Sequence, residues 1–262
     1  MLKSLVLLVI LSFTFSAFAA ERVILLAPAA ADIMHKLGCE DKIVGKTKSV
    51  EEFPNAMKVG SHIRPNIELI MSLKPDVIVI PSNRFFTEAM VKEVGVPVFQ
   101  YNPLTLDEIL VGIAEVGELM GKQSEAKELN AQLRSMMKHL KGINDAPVVV
   151  FESMQMPYTV AGSKSIVADI IKRAGGKFAI EDERKIVRFN MESAVAINPD
   201  IYIYQVGPMN KNPEPPAERA VFRTMKAKYL KVDERKFSRA NSISFENVIM
   251  LNELFSEFKR DK

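Results

Sequence analysis

The chain has 262 residues, 48% hydrophobic and 26% charged, enough for one large core or two modest ones and too apolar for a disordered chain. A formal net charge of +3 with no basic tract gives no indication of a nucleic-acid partner. The single cysteine, Cys39, rules out an internal disulfide and reads as a packed small hydrophobe beside Gly38.

Lys3, the apolar run 5–15 and the small-x-small triplet Ala17-Phe18-Ala19 have the layout of a cleavable signal peptide over residues 1–20, with cleavage expected after Ala19 or Ala20. The run is short for a membrane span, which needs about 20 apolar residues. No cysteine stands near the cleavage region to carry a lipid, so a freely diffusing periplasmic protein is the expectation. The rest divides into an N-terminal lobe over 21–104, a helical connection over 105–143 and a C-terminal lobe over 144–262.

In the first lobe the pattern predicts strands at 23–27, 77–80 and 98–101, and helices at 30–37, 67–73 and 84–94. The strands are apolar without polar alternation, as in parallel sheets covered on both faces. In the connection, Thr105 and Glu108 have capping-box spacing and Gly121 closes the first helix. A second helix over 125–141 carries one apolar stripe, Ala126, Leu129, Leu133, Met136, Met137 and Leu140. At about 1.5 Å per residue it is a strut of about 25 Å between the lobes. The second lobe reads as strands at 148–151 and 201–204 and helices at 166–174, 191–197 and 245–258. The fold class is therefore α/β, with two similar lobes, each a parallel-rich sheet flanked by helices, joined by a long backbone helix.

The two lobes echo each other in sequence. "NIELIMSLKPDVIVI" at 66–80 returns as "NMESAVAINPDIYIY" at 190–204, and "ADIMHKLG" at 31–38 returns as "ADIIKRAG" at 168–175. Each long echo opens on an asparagine suited to cap a helix, and its glutamate, Glu68 or Glu192, falls in the first turn, where an acid complements the helix dipole. The Lys74-Pro75 and Asn198-Pro199 steps stop the helix, because proline disfavours helical geometry in the residue before it.

With these echoes, "RVILLAPAAADIMHKLGCEDKIVGKT" and "TVAGSKSIVADIIKRAGG", the chain resembles the helical-backbone substrate-binding proteins of ABC importers, the group carrying iron-siderophore complexes, haem and cobalamin. The resemblance implies a periplasmic binding protein that captures a metal chelate between its lobes and delivers it to two permease subunits. It also implies that Glu68 and Glu192 project from the lobe tips and engage permease arginines, charge complementarity setting orientation and encounter rate.

Ligands of open parallel sheets meet the loops at the carboxyl ends of strands, here 28–31, 82–85, 101–103, 152–158 and 205–209. Candidate lining residues are His62, Arg64, Arg84, Tyr101, Tyr158, Arg188 and Gln205. His62 lies in a loop where the family places ligand contacts, and the arginines suit an anionic chelate through paired hydrogen bonds. Tyr101 is a possible ferric ligand or an ordinary strand-end aromatic. The "MQM" run 154–156 reads as flexible packing or a soft-metal site.

Of three histidines, His35 and His139 fall on helices, so a bare zinc or manganese site is harder to support than a metal already held in an organic chelate, and no direct metal ligand is assigned. An iron chelate, foremost an anionic ferric siderophore, is expected; haem and cobalamin stay open. No intrinsic cofactor is expected, and a monomer is. The chain lacks G-x-S-x-G, G-x-x-x-x-G-K-[ST], G-x-G-x-x-G and H-E-x-x-H, so a binding protein is expected rather than an enzyme. A periplasmic sensor or metallochaperone is the competing assignment.

Overall fold

The structure is a computed structural model that describes residues 19–259; residues 1–18 of the expected signal peptide 1–20 lie outside the described residues. Ala20 is already part of the fold, buried, with its N–H donating to the Leu119 carbonyl at 2.8 Å. Among the described residues no helix is long and apolar enough to cross a membrane.

The N-terminal lobe runs β1 (Val23–Leu25), α1 (Ala30–Lys36), β2 (Ile43–Lys46), β3 (Met57–Lys58), α2 (Ile67–Ser72), β4 (Val77–Ile80), α3 (Glu88–Val94) and β5 (Val98–Gln100). Its five strands form a parallel sheet in the order β3-β2-β1-β4-β5. Helix α3 starts later than the 84–94 pattern predicts. The Ser82 hydroxyl takes the Arg84 N–H at 3.1 Å, Thr87 caps the helix, and Arg84 is left in the loop.

Helices α4 (Leu106–Met120) and α5 (Gln123–Met136) form the connection. The capping box is present, with the Glu108 N–H on Thr105 Oγ1 at 3.1 Å and Glu108 Oε2 accepting from Leu104 N–H at 2.7 Å. The predicted strut over 125–141 is shorter than its stripe suggested: α5 ends at Met136 and tightens into a 3₁₀ turn, Met137–His139.

The C-terminal lobe runs β6 (Val148–Met154), β7 (Thr159–Ala161), α6 (Ile166–Arg173), β8 (Lys177–Phe178), β9 (Ile186–Arg188), α7 (Met191–Ile197), β10 (Ile201–Val206), β11 (Lys228–Asp233), α8 (Glu234–Phe237) and α9 (Ile243–Ser256). The sheet order is β11-β10-β6-β7-β9, with β8 on the first residues of β6. Strands β6, β10 and β11 are parallel, whereas β7 and β9 are antiparallel additions at one edge.

One apolar core runs through both lobes, from Val23, Ile33 and Val79 through Ile109 and Ile113 of α4 to Phe151, Ile170 and Phe255. Separate clusters cover the outer faces, Ile24, Ile78 and Phe86 in the first lobe and Val150, Tyr202 and Phe222 in the second.

The echoed residues do the same work in each lobe. Asn66 Oδ1 accepts from Leu69 N–H at 2.9 Å to start α2, and Asn190 Oδ1 accepts from Glu192 N–H at 2.8 Å to start α7. Lys74 and Asn198 leave the helices in the left-handed region, with φ of 48° and 47°, at the step where a following proline disfavours continued helix. Asp76 Oδ2 then accepts the N–H groups of Glu21 and Arg22 just before β1, at 2.7 and 3.0 Å. Asp200 Oδ2 accepts that of Val148, the first residue of β6, at 2.7 Å.

The shorter echo works between the lobes. Asp169 Oδ2 on α6 accepts the N–H of Leu106, the first residue of α4, at 2.8 Å. Asp32 Oδ2 on α1 accepts the N–H and hydroxyl of Ser242, ahead of α9, at 3.1 and 2.5 Å. Asp32→Ala and Asp169→Ala are each expected to lower unfolding free energy by about 1 kcal/mol, the usual cost of a lost helix cap. Urea denaturation followed by circular dichroism checks this, and the double variant should be close to additive.

Candidate functional site

The carboxyl edge of the first sheet faces the second lobe, and besides the Asp32–Ser242 and Tyr101–Ala240 contacts side chains bridge the lobes at two places. At one, Arg235 Nη1 pairs with Glu51 Oε1 at 2.7 Å and Arg239 Nη2 donates to the Ser49 carbonyl at 2.9 Å. At the other, Lys185 Nζ lies 3.3 Å from Asn102 Oδ1, just past β5.

His62 and Arg84 are brought together by Phe85. The imidazole meets the Phe85 ring edge-on, centroids 6.0 Å apart, and the Arg84 guanidinium sits 5.4 Å over the same ring. Burial lowers the His62 pKa below its ordinary 6.5, and the positive charge of Arg239 lowers it further. A neutral imidazole beside an aromatic ring and two guanidinium groups can accept a hydrogen bond, coordinate a metal already inside a chelate, or pack on an apolar ligand face.

Arg64 and Arg188 are exposed and have no ion pair among the described residues. Arg64 is on the loop that carries His62, and Arg188 ends edge strand β9 opposite Thr159.

Three expected lining residues are instead part of the framework. Tyr101 is 2% exposed and donates its hydroxyl to the Ala240 carbonyl at 3.1 Å, holding the lobes together; burial raises its phenol pKa well above the ordinary value, and its oxygen is not available to iron. Gln205 is 1% exposed, donating Nε2 to the Ser153 carbonyl at 2.8 Å and accepting from Ser238 Oγ. Tyr158 is buried with its hydroxyl 2.8 Å from that of Tyr202.

Tyr202 in turn donates to Glu152 Oε2 at 2.6 Å, and Arg219 grips both Glu152 oxygens at 2.5 and 2.9 Å. This fully buried ion pair is complete within its lobe, which explains why Tyr158 turns inward. In the "MQM" run, Met156 is 78% exposed in the β6–β7 turn. Burial pushes the Cys39 thiol up to about 11, leaving it inert at neutral pH. Among the described residues no three His, Cys, Asp or Glu side chains converge to hold a bare ion. A shallow groove of ≈ 480 Å³ on α4 and α5, lined by Ala114, Asn130 and Arg134, involves none of the strand-end loops.

The sequence reading missed Arg239 and Lys185. Arg239 follows a four-residue helix after β11 and gave no local signal. Lys185 stands in a run of mixed charge that looks like ordinary surface.

Because the folded pKa of His62 is depressed, its neutral form contributes stability that is full above the unfolded value of 6.5 and is lost as pH falls through the folded value. Arg239→Gln is expected to raise the His62 pKa toward 6.5, read from the imidazole proton shift in an NMR pH titration.

Over residues 23–214 the chain matches the model of the Periplasmic binding protein family. It is 29% identical over 172 residues to the high-affinity heme uptake system protein IsdE of Staphylococcus aureus (strain bovine RF122 / ET3-1), a match covering 62% of this chain and 59% of that protein's length. The crystal structure of S. aureus IsdE complexed with heme superposes with a TM-score of 0.78 at 23% identity, covering 90% of this chain and 99% of that one. The periplasmic vitamin B12 binding protein BtuF of Vibrio cholerae superposes with a TM-score of 0.72 at 20% identity, covering 91% and 99%. With that match running from β1 into the loop after β10, and with two echoing α/β lobes set on a helical connection, the chain belongs to the periplasmic binding protein family.

Proposed function

We propose that this protein is the substrate-binding component of an ABC importer, acting in the periplasm after signal cleavage, holding a metal chelate between its lobes and presenting it to the permease through Glu68 and Glu192. One observation carries the docking part. Of the acids repeated between the lobes, Asp32, Asp76, Asp169 and Asp200 all hold backbone N–H groups. Glu68 and Glu192 are repeated as faithfully, yet both are exposed and have no side-chain hydrogen bond or ion pair among the described residues. A repeated acid with no internal partner suits an external cation at equivalent places on two lobes.

The ligand this reading favours is an anionic iron chelate. Arg84, Arg239 and Arg188 supply cations, and His62 a neutral imidazole beside Phe85. Haem fits that combination, an apolar disc with charged edges, and the sequence relatives are named for heme uptake. A ferric siderophore would use the cations without the imidazole. The cleft is a binding site with no catalytic constellation assigned to it, and the protein is proposed to act as a monomer.

In a strain depending on this importer, Glu68→Lys combined with Glu192→Lys is expected to abolish uptake while changing ligand affinity in solution less than about twofold, since neither group belongs to the cleft. Loss of ligand binding by a folded double variant would place these residues on the wrong surface. Added hemin is expected to give a Soret band that His62→Ala shifts, whereas tight binding of free zinc or manganese without a chelator would overturn the chelate assignment.

A further inference from the structure

Five positions carry the same residue in 64–80 and in 188–204, and three of those matches have a structural task. Asn66 and Asn190 cap their helices, Pro75 and Pro199 follow the residues that leave them, and Asp76 and Asp200 hold N–H groups at or just ahead of the starts of β1 and β6. The two matches left over are Arg64 with Arg188 and Glu68 with Glu192. All four side chains are exposed, and none has a hydrogen bond or ion pair among the described residues, not even an arginine with the glutamate four positions on.

An unpaired exposed cation is ordinary on a protein surface, but its return at the same place in the second lobe is not. The acid of each R-x-N-x-E set gains from the dipole of the helix it starts, whereas a cation just ahead of that helix gains nothing from it. Both arginines stand on fixed backbone. In the first lobe the Arg64 N–H and carbonyl are tied to Ser61 at 3.2 Å each, and Gly60 forms an antiparallel bridge with Pro65. Gly60 has φ of 101°, and a Cβ there would lie 2.6 Å from the Arg64 carbonyl oxygen, so the tight turn needs glycine. In the second lobe Arg188 pairs with Thr159 across β7 and β9, and the Phe189 N–H goes to the Tyr158 carbonyl at 3.2 Å. Two different backbones thus deliver the same charge ahead of the same cap. An exposed isoleucine accompanies each, Ile63 at 51% and Ile186 at 41%, and apolar contact beside charge suits a surface that meets another protein.

We propose that Arg64 and Arg188 belong with Glu68 and Glu192 to the permease-docking surface, each lobe presenting a cation and an acid four residues apart to a permease subunit that offers a carboxylate beside its arginine. This rests on the docking role of the two glutamates argued above. Four residues of chain span at most about 14 Å, and charges at physiological salt act over about 8 Å, so a permease arginine that meets Glu68 also comes near Arg64. Like charges set against each other oppose docking, and a carboxylate on the partner removes that opposition. A patch of both signs also fixes orientation more narrowly than a lone acid, because a turned or shifted placement brings like charges together. On this assignment Arg188 leaves the set of cations offered to the ligand, and Arg84 and Arg239 remain.

The test measures binding of the labelled, ligand-free mature protein to spheroplasts, which expose the permease from its periplasmic side, with spheroplasts lacking the permease as the blank. Without ligand, a loss cannot arise through the cleft. Arg64→Glu combined with Arg188→Glu is expected to weaken permease-specific binding at least about tenfold, and by less at high salt, whereas Arg64→Lys with Arg188→Lys retains most of it. Arg64→Gln with Arg188→Gln, which removes charge without reversing it, should fall between them at an unchanged melting temperature. Normal binding by the reversed pair, beside a loss for Glu68→Lys with Glu192→Lys, overturns the inference and leaves the docking role of the glutamates standing. A fall in melting temperature that matches the loss in both the reversed and the glutamine pairs gives the arginines to the fold and also overturns it. If the unaltered protein shows no permease-specific binding, or the glutamate variant binds as well as it does, the docking assignment itself fails, and this one with it.

Discussion

Two carboxylates set how the lobes face each other. Asp32 on α1 holds the residue ahead of α9, and Asp169 on α6 holds the first residue of α4. A helix start leaves backbone N–H groups unpaired and carries partial positive charge, so an aspartate satisfies both at once, but only from hydrogen-bonding distance. Each contact joins elements from different parts of the chain, and the two lie at equivalent positions of the repeat. Between them the apolar core is continuous through α4, and the buried Tyr101 hydroxyl adds a third tie at the Ala240 carbonyl. Wide separation of the lobes would break all of these together, which favours small relative motion over a broad hinge.

Where the lobes are not tied they leave a gap, and the distribution of charge there differs from that in the interior. Inside the second lobe, Arg219 and Glu152 neutralise each other completely, with Tyr202 and the Glu214 carbonyl taking up remaining hydrogen-bonding capacity. At the gap, Arg239 reaches only a backbone carbonyl and Lys185 only an amide. Neither has an ion pair among the described residues, in contrast to the buried Arg219.

The asymmetry between the lobes follows from their sheets. The first is wholly parallel and presents only loops to the gap, whereas the second adds the antiparallel strands β7 and β9 at one edge. Those additions bring residues 185–188 to the side of the sheet, and Arg188 falls four residues before Glu192 as Arg64 does before Glu68. The repeat therefore accounts for the framework, for the matched glutamates and for the matched Arg64 and Arg188, while the antiparallel strands belong to the second lobe alone.

The sequence by itself determined the features that local chemistry decides. Asparagine caps, proline stops, apolar strands and the capping box at Thr105 depend on residues within a few positions of one another, and the repeat marked them twice. It also marked Glu68 and Glu192. Only the tertiary structure decided which strand-end residues point outward. Tyr101 and Tyr158 follow the rule for pocket positions, but their hydroxyls find partners 139 and 44 residues away and turn inward. Lys185 meets Asn102 on the other lobe from 83 residues earlier, a contact that no local pattern announces. Whether a charge is paired or left over depends on distances between segments far apart along the chain, and those exist only once the lobes have packed.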